Sequence, residues 1–177
     1  LKSGRSEAAQ TAALSHTASM AGSDVGASAL FDRLGILRVR SLDALIEALK
    51  HAHLYGQTEP GAIASLSCSG GEASLMADGG DARGIAFAPL TAQQDARLLA
   101  VLGPMVTRAN PLDYHTFIWN DAARMGEVYA IMANGPAALT VIVVDFPRDD
   151  RCQTDAWDCV VSAAIQARRE TGRPVAL

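Results

Sequence analysis

No run of lysine and arginine occurs anywhere in this chain of 177 residues. With a net charge of −4 it lacks the positive footprint that nucleic acid demands, so DNA and RNA are excluded as partners. Cysteine is sparse as well. Cys68, Cys152 and Cys159 are odd in number and show no paired spacing, which argues against a disulfide framework and a Cys-rich zinc site. Reduced thiols in the cytoplasm are the expectation. No apolar stretch reaches the roughly 18 residues of a bilayer span, and no basic segment leading into an apolar core opens the chain. Neither a membrane association nor a signal peptide is expected. Methionine is missing from the first position too, and "LKSGRSEAA" reads as the end of a strand entering a loop. A piece of a longer protein is expected.

What is present is ordinary globular material, 49% hydrophobic and 19% charged. Residues 1–20 are small and polar without a 2 or 3.6 period, and they read as a loop. Ser23 or Asp24 caps a predicted helix to about Leu34, with Gly35 just past its end. "ILRVR" then alternates like a strand. Ser41 caps a helix in which Leu42, Leu45, Ile46 and Leu49 form an apolar stripe that ends near His53. "YGQTEPG" gathers turn formers and marks the boundary between units 1–56 and 57–177.

In the second unit "AIASLSC" reads as a buried strand, "SGG" as a tight turn, and "EASLMADGGDARG" as a helix weakened at Gly79 and Gly80. "GIAFAPL" predicts another strand, Thr91 caps a helix, and "TRANPLDYH" reads as a loop. Residues 121–133 are predicted helical, "LTVIVVDFP" a buried strand, "TDAWDCVVSAAIQARRE" a long helix, and "PVAL" the start of a last strand. Strands alternating with helices predict a doubly wound α/β fold, a parallel sheet covered on both faces.

Two features carry chemistry. Ser69, Gly70 and Gly71 join a strand to a helix, so glycine allows close backbone approach while the free N–H groups of the first turn favour an anion. Neither the Walker lysine nor the G-x-G-x-x-G spacing is present, which disfavours a P-loop and a dinucleotide site. His16, between Ser15 and Thr17, is the second feature. An imidazole can accept and release a phosphoryl group, and the flanking hydroxyls can hydrogen-bond phosphate oxygens. The bland alternatives are a surface histidine and a glycine used only to turn. His51 and His53 read as a solvated helix end, and no metal site is implied. In "NPLDYH", Asn110 and Asp113 are candidates for orienting a substrate or capping the loop around His115. Cys68 reads as a small buried hydrophobe, and Trp119 and Trp157 as core or lobe-interface residues.

"LKSGRSEAA", "SHTASMAGSD", "FDRLGILRVRSLDALIEAL", "SCSGGEASLMADGGDARGI" and "NPLDY", in that order, resemble the NDP-forming acyl-CoA synthetases, relatives of succinyl-CoA synthetase and ADP-forming acetate–CoA ligase. The resemblance implies a flavodoxin-like lobe over 57–177, preceded by the phosphohistidine loop and the C-terminal part of another such lobe over 1–56. It places the phosphorylated residue at His16. Ser69, Gly70 and Gly71 would then face the phosphohistidine, with Ser15 and Thr17 as local helpers. It implies an acid–thiol ligase whose substrates are CoA, a small carboxylic acid or its acyl-CoA, and ATP or ADP with Mg²⁺. These would bind mostly on a CoA-binding domain and an ATP-grasp domain or subunit, and a homo-oligomer is compatible with the family. The chain departs from the family's pattern at Ala18, where glycine usually follows the threonine. That departure keeps open a non-catalytic regulatory lobe of the same ancestry, such as the ligase-like region fused to some protein acetyltransferases. An unrelated flavodoxin-like or nucleotide-binding module is the remaining alternative.

Overall fold

The computed structural model describes residues 1–17 and 22–177; within that range the side chains of His16 and Thr17 are not described. By contacts the chain separates into two compact units, Leu1–Gln57 and Thr58–Leu177.

The first unit is helical: α1 (Glu7–Thr17), α2 (Asp24–Leu34) and α3 (Leu42–Tyr55). Where a loop was expected over residues 1–20, the structure has α1. Its sequence is alanine-rich and so favours a helix without presenting an apolar stripe, and Ser6 starts it by accepting from the N–H of Ala9 at 3.2 Å. The strand expected at "ILRVR" is absent, since residues 36–40 pair with no strand among the described residues. The two capping readings hold. Ser23 accepts from Gly26 N–H and Ser41 from Ala44 N–H, while Gly35 closes α2 in the left-handed conformation at φ 65°. Neither α2 nor α3 contains a buried residue, and the stripe of α3 leaves Leu42, Ile46 and Leu49 more than half exposed.

The second unit is built on a wholly parallel sheet. Its strands are β1 (Ile63–Ser67), β2 (Leu112–Asp113), β3 (Leu139–Ile142) and β4 (Val175–Ala176), in the order β2-β1-β3-β4. Between them run α4 (Gly70–Asp81), α5 (Ala92–Leu102), α6 (Ala122–Ala133) and α7 (Asp158–Thr171), preceded by a short 3-10 turn at Asp155–Trp157. Central β1 is buried from Ala64 to Ser67, as a strand with neighbours on both sides should be. Helix α4 packs on β1 and β2, α6 on β1 and β3, and α7 on α6 and β4. The core is densest at α6, where eight of the twelve residues are buried, among them Met125, Val128, Tyr129 and Met132.

Two expectations are corrected on one side of β1. "GIAFAPL" forms only a single parallel bridge, Phe87 to Ile63, and "NPLDY", expected as loop, supplies β2 instead. Ile63 already pairs with Leu139 of β3, so Phe87 lies on the same side as β2. The two segments therefore share one strand position. Asn110 fills the gap between them: its amide nitrogen donates to Ile63 O at 2.9 Å and Ala88 O at 2.8 Å, and its Oδ1 accepts from Ser65 N–H at 2.9 Å. A side chain thus completes a backbone ladder, which a pattern of apolar residues cannot announce.

Glycine at position 80 does not end α4, as its weak helix propensity alone would suggest. A Cβ there would lie 2.6 Å from the Phe87 ring, so the glycine lets that ring close over the helix. Thr91 begins α5 with a capping box, Gln94 answering its backbone N–H. The Gln94 amide then reaches Ile131 O at 2.9 Å and ties α5 to the end of α6.

Candidate functional site

In a parallel sheet the loops after the strands collect at one edge, and a cleft forms where the strand order reverses. Here that edge carries Cys68 and Ser69 after β1, Asp113 at the end of β2, and Val144 and Asp145 after β3. Ser69 is the N-cap of α4 in extended conformation, and its side chain makes no capping hydrogen bond. The first-turn N–H groups are therefore not covered by a side-chain cap, the state in which they can receive an external oxygen.

Close approach explains the first glycine. A Cβ on Gly70 would sit 3.2 Å from Asp113 Oδ2, whereas one on Gly71 would meet nothing nearer than Ser69 Oγ at 3.5 Å. Asp113 is held by a local turn, its Oδ1 accepting from the His115 N–H at 2.9 Å with His115 at φ 59°. The His115 ring stacks on Phe117 with centroids 5.2 Å apart, and its Nε2 lies 3.8 Å from Asp113 Oδ2.

Beside this turn lies a cleft of about 330 Å³ lined by Cys68, Glu72, Thr116, Trp119, Val144, Asp145 and Trp157. The two indoles meet edge to face at 5.8 Å and 77° and form its aromatic wall. Glu72 Oε2 is buried with no hydrogen-bond partner. Burial pushes the Glu72 carboxyl above the usual range, Asp145 and Asp113 push it further, and the Asp145 backbone N–H pulls the other way. Burial, with Glu72 next in importance, likewise raises the Cys68 thiol, which suits a small packed side chain better than a nucleophile.

Ser69, Gly70, Gly71 and Asp113 are thus brought together at one end of β1. Asn110 is not with them: all three of its hydrogen bonds go to backbone around the start of β1, so its role is a strap in the sheet. Ser15, on α1, donates back to Ala12 O at 3.0 Å. The reactive part assigned to His16 and Thr17 lies outside the described residues. The aromatic cleft is the feature sequence reasoning passed over. Trp119 and Trp157 are 38 positions apart, and only the fold joins them. Among the described residues no group of three or more His, Cys, Asp or Glu side chains could hold a metal ion, and no helix is long and apolar enough to cross a membrane.

The order β2-β1-β3-β4, with helices between parallel strands and loops gathered at the switch point, defines an α/β flavodoxin-like lobe. A solved acetyl-coenzyme A synthetase 1 of Ca. Korarchaeum cryptofilum, described as dinucleotide forming and in complex with phosphate and ADP, shares this fold with a TM-score of 0.79. It is 22% identical, and the match covers 99% of this chain and 37% of that one. A structure from Pyrococcus horikoshii matches with a TM-score of 0.68 at 23% identity, over 88% of this chain and 35% of its own.

Residues 1–52 match the succinyl-CoA ligase like flavodoxin domain. The chain is 36% identical over 115 residues to the alpha subunit of ADP-forming acetate–CoA ligase II of Pyrococcus furiosus, covering 64% of this chain and 24% of that subunit. It is 33% identical over 117 residues to an ADP-forming acetate–CoA ligase of Methanocaldococcus jannaschii, covering 64% of this chain and 16% of that protein. In sequence the chain is similar to these two ADP-forming acetate–CoA ligase proteins, and it spans about a quarter or less of the length of either.

Proposed function

We propose that this chain carries the phosphohistidine segment and a flavodoxin-like lobe, its two parts meeting near residues 56–57, of an acyl-CoA synthetase that couples a thioester to ATP. The observation that carries the proposal is the uncapped N-terminus of α4 at the C-terminal edge of β1, in a chain whose other unit bears the S-H-T sequence at His16. Phosphate attacks the thioester of an acyl-CoA and releases CoA, leaving an acyl phosphate. The His16 imidazole then takes the phosphoryl group and frees the carboxylic acid, and ADP removes it as ATP. One difficult transfer becomes two easier ones, each reversible.

In this scheme the N–H groups after Ser69, at Gly70 and Gly71, with the dipole of α4 behind them, stabilise the phosphoryl charge on the histidine. Ser15 and Thr17 assist it locally. CoA is assigned to a CoA-binding partner domain, and ADP with its Mg²⁺ to an ATP-grasp domain or subunit. Asp113 holds the loop beside Gly70, and the cleft flanked by Trp119 and Trp157 offers an apolar wall to the acyl end of a substrate.

The complete enzyme is incubated with Mg²⁺ and γ-labelled ATP, and acid-labile, alkali-stable phosphate is mapped by peptide. Label on the His16 peptide, lost in His16→Ala, is the expected result. A second reading draws on the ring of Glu72, Asp113 and Asp145 around the α4 N-terminus, which repels anions, and on Ala18: a regulatory lobe that has lost the chemistry. Absence of label with the nucleotide module folded selects that reading.

A further inference from the structure

Although the sequence has no basic run, the fold of the first unit makes a basic cluster. A pocket of about 370 Å³ is lined by Lys2, Arg5, Asp24, Ser28, Arg38 and Arg40, with Val39 between the last two. Residues 1–57 contain six lysines and arginines, Lys2, Arg5, Arg33, Arg38, Arg40 and Lys50, and four of them line this pocket. Among the described residues one carboxylate, that of Asp24, lines the pocket with them. The Arg38 guanidinium forks across both oxygens of Asp24 and also reaches the Ser28 hydroxyl, while Lys2 Nζ stands 3.8 Å from Asp24. The Arg38 hydrogen bond holds the Asp24 carboxyl below the usual range, so Asp24 stays ionised and cancels one of the four cations. Three positive charges remain. Arg5 and Arg40 are exposed and make no hydrogen bond or ion pair among the described residues.

Gathering like charges is unfavourable unless something opposes them, and among the described residues no second carboxylate lines the pocket. Arg38 is immobilised by Asp24, so it fixes the pocket wall and leaves Arg5 and Arg40 to meet a ligand, with Lys2, which also donates to Ser3 O at 3.2 Å, adding its charge from beside Asp24. A guanidinium presents paired N–H donors that match two phosphate oxygens, and a lysine supplies a point charge. The pocket also adjoins the first turn of α2, where the helix dipole adds positive potential.

We infer that Lys2, Arg5 and Arg40, organised around the Arg38–Asp24 fork, form a binding site for a phosphoryl group, that of free phosphate or of a phosphate ester. This inference is independent of the role proposed for His16.

Calorimetric titration of the protein at low salt with inorganic phosphate and with adenosine 3′,5′-bisphosphate tests it. Saturable binding that weakens as salt rises is expected. Arg5→Gln and Arg40→Gln are each expected to lower the affinity about tenfold or more, with unchanged far-ultraviolet circular dichroism, because each removes a charge-assisted hydrogen-bond donor. Arg33→Gln, at a cation of the same unit outside the pocket, leaves the affinity unchanged, which separates this site from a general effect of charge. Equal affinity for the two probes identifies free phosphate as the ligand, and a tenfold preference for the bisphosphate identifies an ester. Protection of Arg5 and Arg40 from phenylglyoxal by the tighter probe, read by peptide mass, is the second expected result. Failure of both probes to bind at millimolar concentration overturns the inference, as does wild-type affinity in the Arg5→Gln/Arg40→Gln double variant.

Discussion

The hydroxyls of Tyr114 and Tyr129 meet at 2.8 Å inside the second unit, with both side chains fully buried and their rings edge to face at 5.6 Å. One follows β2 and the other sits on α6, so this hydrogen bond links the last turn of the β2 segment to the most buried helix. Burial pushes both phenols above their ordinary range and keeps them neutral. Tyr129→Phe strands the Tyr114 hydroxyl and should cost about 1–3 kcal/mol in urea unfolding. The Tyr114→Phe/Tyr129→Phe double variant should cost less than the sum of the two single changes, because no orphaned hydroxyl remains. Additive losses would show that the hydroxyls act separately.

Asn110 offers a sharper case. Asn110→Ala unties Ile63, Ser65 and Ala88 together and should destabilise the protein by about 2–4 kcal/mol, the loss of several partly buried hydrogen bonds. Asn110→Asp replaces two donors with an anion facing two carbonyl oxygens and should be worse at neutral pH. Thermal unfolding of the two variants at matched pH tests the order. If Asn110→Asp is the milder change, the amide is not the strap described here.

For Glu72 the sign of the pH effect follows from its raised carboxyl. A group that binds its proton more tightly folded than unfolded stabilises the fold fully below its unfolded pKa, and that contribution is lost as pH rises through the folded value. Glu72→Gln removes the penalty of the buried anion. Its melting temperature should exceed that of the wild type at pH 7, and the difference should shrink as pH falls towards the ordinary glutamate range. A constant difference across that window would assign the effect to packing instead.

The cysteines should separate by rate. Cys152 is exposed, whereas Cys68 is half-buried with its thiol pushed up by burial and by Glu72. Alkylation with iodoacetamide at pH 8 should therefore modify Cys152 well before Cys68, since the thiolate is the reacting form. Mass spectrometry over a time course reads the order, and faster loss of Cys68 would mark it as activated.

What could be read from the sequence was what local chemistry determines. Ser23, Gly35, Ser41 and Thr91 each announce a helix end through local chemistry within a few residues of the backbone it serves, and each was found, whereas the Gln94 half of the Thr91 capping box was not read. The run "LTVIVVDFP" is buried because the chain is apolar there, and β3 lies within it. Helix α1 escaped notice because alanine supports a helix without showing which face is inward. "ILRVR" alternates, yet no neighbouring strand accepts it. The β2 segment was hidden because Leu112 and Asp113 are only two residues, and their partner is the distant β1. The glycine turn at Ser69 was legible. The wall made by Trp119 and Trp157, and the pocket joining Lys2 and Arg5 to Arg38 and Arg40, depend on contacts that no spacing encodes.

The Asn110 strap has a wider consequence. It grips the start of β1, Gln94 holds the carbonyls that lead into β3, and Arg173 donates to Ala137 O at 2.6 Å just before that strand. These ties gather at one pole of the sheet, whereas the opposite pole carries an open helix end and a buried carboxyl with one oxygen left without a hydrogen-bond partner. The unit is thus anchored at its base and unfinished at its crown. Substitutions at the base should register in melting curves with little effect on binding, and substitutions at the crown the reverse. Natural variation could redecorate the crown for a new ligand while the scaffold beneath it stayed the same.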